Sequence, residues 1–276
     1  MERTRRYGRG LKCGLLRLAV CLLPAIASGQ VSSLSYTGTL NNPRSVFEVT
    51  FKLTASDTVT IKTFGFGGGT NGASQVIPAG GFDPLIALFD GPIATATMHV
   101  GGQGNPVADA DNLANEPWSF NGNCPAAGTV NIGANHDCGD VKIQVALVAG
   151  TYTLLLSDAN YQPGAIYDTG ALSEPFVDLT GGAAEFQTCD PAVDVCITPN
   201  GNYSVDIDAT KQSLVAITKC DVNIDGITDV SDVRQMISEA LGTGSPDNDL
   251  SANGKLNVVD VQIDINATKG LGCSAK

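Results

Sequence analysis

Two stretches near the C-terminus place oxygen-bearing side chains at the same regular spacing. The first loop is residues 221–232, DVNIDGITDVSD, and the second loop is residues 249–260, DLSANGKLNVVD. Both have side-chain oxygens at positions one, three and five, a glycine at position six for a sharp turn, and a carboxylate at position twelve. A hard cation such as calcium takes about six to eight oxygen ligands from a loop of this length. The repeated spacing therefore predicts two calcium sites.

The expected ligands are side-chain oxygens, except for a backbone carbonyl at position seven. Polar runs of this kind are also common in ordinary turns, but two copies in one register favour the calcium interpretation. The second loop has fewer carboxylates, so we expect it to bind calcium more weakly. In the first loop the expected ligands are Asp221, Asn223, Asp225, the carbonyl of Ile227, Asp229 directly or through water, and a bidentate Asp232. In the second loop they are Asp249, Ser251, Asn253, the carbonyl of Lys255, Asn257 and Asp260.

Each loop is followed by residues whose spacing predicts one short helix. After the first loop the apolar positions recur at helical spacing and stop at Gly242, and glycine commonly follows the last residue of a helix. After the second loop the spacing is less regular and ends at Gly270. Because no helical pattern precedes either loop, each repeat is predicted to be an EF-hand-like loop with a single helix. The apolar positions are Val233, Met236, Ile237, Ala240 and Leu241 in the first repeat, and Val261, Ile265 and Thr268 in the second.

The two loop-and-helix repeats together resemble a type I dockerin. The strings CDVNIDG and DVRQMISEALG carry the resemblance, which covers residues 220–273. The resemblance implies a small α-helical module that folds around calcium and whose duplicated helices bind a cohesin domain of another protein. The helix residues expected to contact such a partner are Ser231, Arg234, Gln235 and Ser238 in the first repeat, and Val259, Gln262 and Asn266 in the second.

The first residues of the chain have the features of a secretory signal peptide, residues 1–29. Basic residues precede an apolar run from Leu15 to Ala27, and small residues at its end offer a cleavage site. An N-terminal membrane anchor is the alternative, but the apolar run is short for a bilayer span of about 20 residues. We therefore expect a secreted protein, extracellular or at the cell surface, with no membrane insertion after cleavage.

The charge of the chain disfavours two classes of partner. Residues 1–29 hold six basic residues and one acidic residue, so the mature chain has 10 Lys and Arg against 27 Asp and Glu, a formal net charge of −17. Nucleic acid and anionic membrane surfaces attract basic proteins and repel acidic ones. Neither is therefore expected as a partner.

The cysteines are typical of an oxidising compartment. Eight cysteines are present and six remain after residues 1–29 are removed, an even number that suits disulfide bonds. A zinc site is disfavoured, because the chain has only two histidines and no cysteine pair with two-residue spacing. The pairs favoured by their positions in the sequence are Cys124 with Cys138, Cys189 with Cys196, and Cys220 with Cys273, the last joining the two ends of the calcium-binding repeats.

Residues 30–210 show a different pattern, in which short strands follow one another. In SVFEVTFKL the apolar residues from Phe47 to Leu53 alternate with polar ones, the period of a half-buried strand. The same alternation recurs in TVTIK, VKIQVAL, TYTLLLS and YSVDI, with Gly, Pro and Asn between them. Many short strands without a long amphipathic helix predict a mainly β protein whose architecture is an antiparallel β-sandwich.

Several strings of this domain are similar to the bacterial pre-peptidase C-terminal sandwiches of exported proteins. They are VFEVTFKLTASDTVTIKTFGFGGG, GGFDPLIALFDG and LVAGTYTLLLSDANYQPG, and the match spans residues 36–161. The resemblance implies a jelly-roll-like sandwich that accompanies other modules, sometimes binds calcium and is not itself catalytic. The expected organisation is a signal peptide at 1–29, a β-sandwich domain at 30–210, a linker at 211–219 and a dockerin-like calcium-binding domain, the C-terminal unit, at 220–276.

The sandwich offers few residues for catalysis. Its two histidines, His99 and His136, have no recognisable nucleophile motif around them. Trp118 could stack on a sugar ring, but a lone tryptophan more often fills a core or a loop. The aspartates are expected to cap turns, with a carboxylate pair for acid–base chemistry or a further calcium site as the alternative. These aspartates are Asp83, Asp90, Asp109, Asp111, Asp140 and Asp158.

The sequence thus favours a secreted, non-catalytic protein in which a calcium-dependent dockerin attaches a β-sandwich to a cohesin-type partner. One alternative is a surface or matrix structural protein whose calcium-binding module only stabilises the chain. Another is an accessory protein of polysaccharide degradation whose sandwich binds, or even hydrolyses, an extracellular polysaccharide.

Overall fold

A computed structural model describes residues 30–99, 140–167, 170–190 and 195–275, with only the backbone described at 118–119, 188–190 and 195–197. The predicted signal peptide, the loop with Cys124 and Cys138, and the aspartates Asp109 and Asp111 lie outside the described residues. Cys189 lies directly opposite Cys196 where two short strands pair.

The described chain is mainly β, as the sequence predicts. Its two longer helices are α1 (Val230–Ala240) and α2 (Val258–Asn266), and a π-type turn at Ala267–Leu271 follows α2. Short 3-10 helices lie at Ile93–Thr95 and Gly164–Ile166. The strands are β1 (Ser33–Thr39), β2 (Phe47–Leu53), β3 (Asp57–Thr63), β4 (Gly69–Thr70), β5 (Val76–Ile77), β6 (Pro84–Asp90), β7 (Thr97–Met98), β8 (Trp118–Ser119), β9 (Lys142–Leu147), β10 (Gly150–Asp158), β11 (Tyr161–Gln162), β12 (Val177–Asp178), β13 (Thr188–Asp190), β14 (Val195–Ile197), β15 (Asn202–Ala209) and β16 (Leu214–Ala216).

Two antiparallel sheets face each other across one hydrophobic core. The first has the strand order β1-β15-β3-β9, and the second has the order β16-β2-β10-β6-β7, with β8 also paired to β6. Alternate apolar side chains from both sheets, such as Phe51 and Leu154 on one and Ile61 and Val205 on the other, are buried in the same cluster. Period-two alternation produces this arrangement, because every second side chain of a strand points to the same face.

Strands β6 and β10 are buried on both faces. Ile86 and Leu88 point into the core between the sheets, whereas Leu85, Ala87 and Phe89 pack in a second apolar cluster on the outer face. The outer face of the sheet is covered by the other residues of this second cluster, which are Ala96, Met98, Ala165, Ile166 and Leu172. A strand covered on both sides has no polar face, which explains the uninterrupted apolar run PLIALF.

Part of the segment predicted as a linker, residues 211–219, belongs to the sandwich. Strand β16 pairs antiparallel with β2, and its first residue, Leu214, is fully buried in the sandwich core. Only three residues take part, too few for an alternation to be recognised in the sequence. The chain therefore leaves the sheet at Ala216, four residues before the C-terminal unit.

Asp57 holds the chain in the approach to β16. Its carboxylate accepts hydrogen bonds from the hydroxyls of Thr210 and Ser213 and from the backbone N–H groups of Lys211 and Thr58. The Thr210 hydroxyl contributes most to holding the pKa of Asp57 well below its usual range. The ionised form of Asp57 is thus the form that stabilises the segment leading to β16.

Replacing Asp57 with Asn is expected to lower the melting temperature of the sandwich at neutral pH, because an amide nitrogen would then face donors. Since the folded-state pKa is depressed, the contribution of Asp57 is present above the unfolded-state pKa and is lost as the pH falls through the folded-state value. The difference in melting temperature between the two proteins should therefore shrink below about pH 4. Calorimetric scans of both proteins from pH 3 to 8 measure this difference in melting temperature. A difference that does not change with pH would contradict a stabilising role of the ionised Asp57 carboxylate.

The C-terminal unit has a small core of its own. Cys220, Val222, Met236, Leu250 and Val261 are buried together, and a disulfide joins Cys220 to Cys273 across a sequence separation of 53 residues. This disulfide confirms the pairing expected from the sequence.

The apolar stripe predicted for α1 is only partly correct. Met236 is fully buried, but Ile237 and Leu241 are exposed. The buried face of α1 consists of Asp232, Met236 and Glu239, at helical spacing. The carboxylate of Glu239 accepts hydrogen bonds from the side chains of Gln235 and Asn248, and these bonds allow a glutamate to replace an apolar residue on that face.

Candidate metal centre

The oxygen side chains at the start of the first loop point inward toward its own backbone. The two carboxylate oxygens of Asp221 accept the N–H groups of Asp225 (3.0 Å) and Gly226 (2.8 Å). The amide oxygen of Asn223 also accepts the N–H of Asp225, at 2.9 Å. A carboxylate oxygen that accepts one N–H keeps a lone pair for a cation. The turn therefore gathers the expected ligands of positions one and three around one centre.

Asp232, at position twelve, closes the first loop from the other end. Its carboxylate oxygens accept the N–H groups of Asn223 (3.0 Å) and Asp229 (2.7 Å). Asp229 in turn accepts the N–H of Ser231 at 2.6 Å, so Asp229 and Asp232 form a capping box at the first turn of α1. The same two carboxylates thus fix the start of the helix and face the loop.

The second loop repeats this geometry position by position. Asp249 accepts the N–H groups of Asn253 (3.2 Å) and Gly254 (2.6 Å), as Asp221 does in the first loop. Asp260 accepts the N–H groups of Ser251 and Asn257, both at 2.8 Å, as Asp232 does. The internal repeat seen in the sequence is therefore a repeat of loop structure.

The backbone is also strained at equivalent positions. Ile224 and Ala252, at position four of their loops, have φ of 60° and 52°, values that residues with a Cβ adopt rarely. The glycines at position six, Gly226 and Gly254, have φ of 95° and 78°. Both loops thus follow the same tightly turned path, which fits a function that requires a fixed arrangement of oxygens.

The electrostatics of the two loops differ. Burial is the main cause that raises the pKa of Asp221, and the neighbouring carboxylates of Asp232 and Asp225 raise it further. Burial also acts on Asp260, but there the N–H groups of Asn257 and Ser251 outweigh it and lower the pKa. Carboxylates crowd one another in the first loop, so a divalent cation would relieve more repulsion there than in the second.

The donor set of both loops fits a hard cation such as calcium. Among the described residues, no group of three or more His, Cys, Asp and Glu side chains forms a metal cluster. The loops instead combine carboxylates with amide, hydroxyl and carbonyl oxygens, the ligands that calcium prefers. In the second loop the carbonyl of Lys255 also accepts the side-chain amide of Asn257 at 2.8 Å, so two of the expected ligands are engaged with each other. This contact is a further reason to expect weaker binding at the second loop.

The first loop lies against the sandwich, a contact that the sequence does not predict. The ammonium group of Lys52, on β2, donates to the carbonyl of Asp225 at 2.8 Å. The turn at Gly226 approaches β16 so closely that a Cβ there would lie 3.2 Å from Cγ1 of Val215. In the part of the chain that the structure describes, nothing lies within 4 Å of a Cβ placed at Gly254. The first loop is therefore anchored, whereas the second loop is free of such a contact at its turn.

Several aspartates of the sandwich cap turns, as the sequence favours. Asp140 accepts the N–H groups of Phe66 and Gly67, and Asp158 accepts the N–H of Asn160. Asp90 contacts Nδ1 of His99 at 2.8 Å instead. These contacts engage Asp90, Asp140 and Asp158 in local structure near strand ends.

Comparison with known proteins gives no match, either to a protein-family model or to a curated protein. Within the described ranges, no helix combines the length and the apolar character needed to cross a membrane.

Proposed function

We propose that the C-terminal unit is a calcium-binding, dockerin-like module that attaches a non-catalytic β-sandwich to a protein partner outside the cell. One observation carries the calcium assignment: two loops of the same length form the same set of inward hydrogen bonds between their oxygen side chains and their backbone. Each loop leads into one helix, which is the arrangement that the resemblance to dockerins implies. The nested order of strand pairs, β1 with β15, β2 with β10 and β3 with β9, supports the jelly-roll-like winding of the sandwich.

In this proposal calcium neutralises the carboxylates of each loop and fixes the helix that follows. The first ion would be held by Asp221, Asn223, Asp225, the carbonyl of Ile227, Asp229 and Asp232. The second would be held by Asp249, Ser251, Asn253, the carbonyl of Lys255, Asn257 and Asp260. Calorimetric titration of the purified chain, after treatment with a chelator, is expected to show two calcium ions per chain with unequal affinities. Failure to bind any calcium would overturn the assignment.

Exposed apolar side chains support a role in attachment. Val258 and Val259, at the start of α2, are 76% and 49% exposed, and Leu241, at the end of α1, is 74% exposed. Exposed apolar side chains grouped on one small module often mark a protein contact. Gln262, one of the residues expected to contact the partner, is also exposed, whereas Gln235 and Asn266 are half-buried. We therefore place the contact mainly on Val259 and its neighbours on α2.

Replacing Val259 with Arg and Gln262 with Glu should abolish partner capture and leave calcium affinity nearly unchanged, because the pair adds no net charge and neither side chain is an expected calcium ligand. The experiment is capture of extracellular proteins from the producing organism, with calcium or with chelator, followed by identification and titration of the purified partner. Val76→Arg, at an 81% exposed valine on the sandwich, is the matched control and should capture normally. Capture that survives the double substitution would place the contact elsewhere.

The anchoring of the first loop favours one alternative. Because Lys52 and Val215 tie this loop to the sandwich, calcium could serve to hold the two parts of a structural protein together without a separate receptor. The capture experiment separates the two functions. In the structural alternative calcium stabilises the chain and nothing is captured in a calcium-dependent way.

A further inference from the structure

Asp264, on α2, is a buried carboxylate with no hydrogen-bond partner among the described residues. Its side chain is 0% exposed, and neither of its oxygens accepts a hydrogen bond there. It lies one helical turn after Asp260, whose own oxygens each accept a backbone N–H. A buried carboxylate without a donor or a cation is among the costliest groups in a protein interior. Such a group must be protonated or must have a compensating partner.

The internal repeat shows that this carboxylate is unusual. The equivalent position of the first repeat, four residues after Asp232, is Met236, which is fully buried in the apolar core of the C-terminal unit. Helical packing alone therefore favours an apolar side chain at this position. The second repeat has a carboxylate there, at the same degree of burial, so the difference is not explained by solvent exposure.

The charged group that acts on Asp264 belongs to the first repeat. Burial, and then the charge of Asp232, raise the pKa of Asp264 to about 7. Helices α1 and α2 pack against each other, and Met236 of α1 shares one apolar cluster with Val261 of α2. None of the ion pairs among the described residues involves Asp264. Two like charges in one buried place are compatible with folding when a cation lies between them.

We propose that Asp264 is an additional oxygen ligand, direct or through one water, of the calcium ion held by the first loop. The inference rests on the proposed calcium binding. Calcium accepts this addition because its coordination number is variable, up to about eight. The consequence is that the first site is completed by the second repeat, so α2 must be folded and packed on α1 before the first site reaches its full affinity.

The test is calcium titration of the full chain carrying Asp264→Asn or Asp264→Met. Asn keeps the shape but removes the charge, and Met is the residue that the first repeat has at this position. Both variants are expected to weaken the tighter of the two sites by about tenfold or more, because changing even a residue that only supports a metal ligand typically costs about tenfold in affinity. Asp264→Met should also raise the melting temperature of the metal-free chain, which shows that it folds. Asp247→Asn, at an exposed aspartate of the same unit, changes the net charge equally and should leave the affinity unchanged.

The possible results are distinct. If both Asp264 variants bind calcium as tightly as the original chain, or if Asp247→Asn weakens binding as much as they do, Asp264 is not a ligand and the inference is overturned. If the original chain itself binds no calcium, the proposed function fails, and Asp264 loses its role with it. A weakened tight site in both variants, with the second site and the control unchanged, supports the proposal.

Discussion

Asp232→Ala is expected to remove the first calcium site and to destabilise the C-terminal unit more than the equivalent change in the second loop. Three effects coincide at this fully buried side chain. The ion loses the ligand expected to be bidentate, the N–H groups of Asn223 and Asp229 lose their acceptors, and α1 loses its capping box. Buried donors left without acceptors cost about 1–3 kcal/mol each, an upper bound for these half-buried N–H groups. Losing bound calcium removes roughly 4 kcal/mol at a concentration a thousand times the Kd.

The matched variant is Asp260→Ala, which removes the same position from the second loop. Its carboxylate also accepts two N–H groups, so the structural part of the loss should be similar. The calcium part should be smaller, because the second loop has fewer carboxylates. Thermal melts of both variants with calcium and with chelator separate the two parts. If both variants lose the same stability in the presence of calcium, the two sites contribute equally. That result would contradict the expectation that the first loop, with more carboxylates, binds calcium more tightly.

The strands of the sandwich could largely be predicted, because alternation is a local property of the sequence. The run SVFEVTFKL contains β2, and TYTLLLS lies within β10. Strand β16 could not be recognised, since its place depends on pairing with β2, where Leu214 lies opposite Leu53, and on the Asp57 carboxylate that holds the approach to it. Contacts between distant residues leave no periodic signal in a three-residue strand.

The candidate metal site, like the sandwich, could be predicted from the sequence only in part. The spacing of Asp221 through Asp232 defines the first loop without any tertiary information, and the structure gives both loops one geometry. The buried environment of Asp264 and the contact of Lys52 with the first loop depend instead on how α2 packs on α1 and on how the loop meets the sheet. A comparison of the two repeats offers one sequence signal for Asp264, the replacement of methionine by aspartate at an equivalent position.

The second large effect is expected on removing the disulfide. Cys220→Ser together with Cys273→Ser opens a loop of 53 residues, which on the chain-entropy model makes the unfolded C-terminal unit more favourable by about 4 kcal/mol. The core of this unit contains few apolar side chains, so it has little stability in reserve. The double variant should therefore be unfolded in this region without calcium, while the sandwich keeps its own melting transition.

Calcium should restore the fold of the double variant, but only at higher concentration. When binding and folding are coupled, the free energy needed to fold the unit lowers its apparent affinity for calcium. A cost of about 4 kcal/mol corresponds to a loss of affinity of up to about 1,000-fold, divided between the two sites. Circular dichroism during a calcium titration measures the midpoint, and the singly substituted Cys220→Ala and Cys273→Ala chains under reducing conditions should match the double variant. An unchanged midpoint would mean that the metal-free unit is already folded without its disulfide, so that calcium fills a preformed site and does not drive folding.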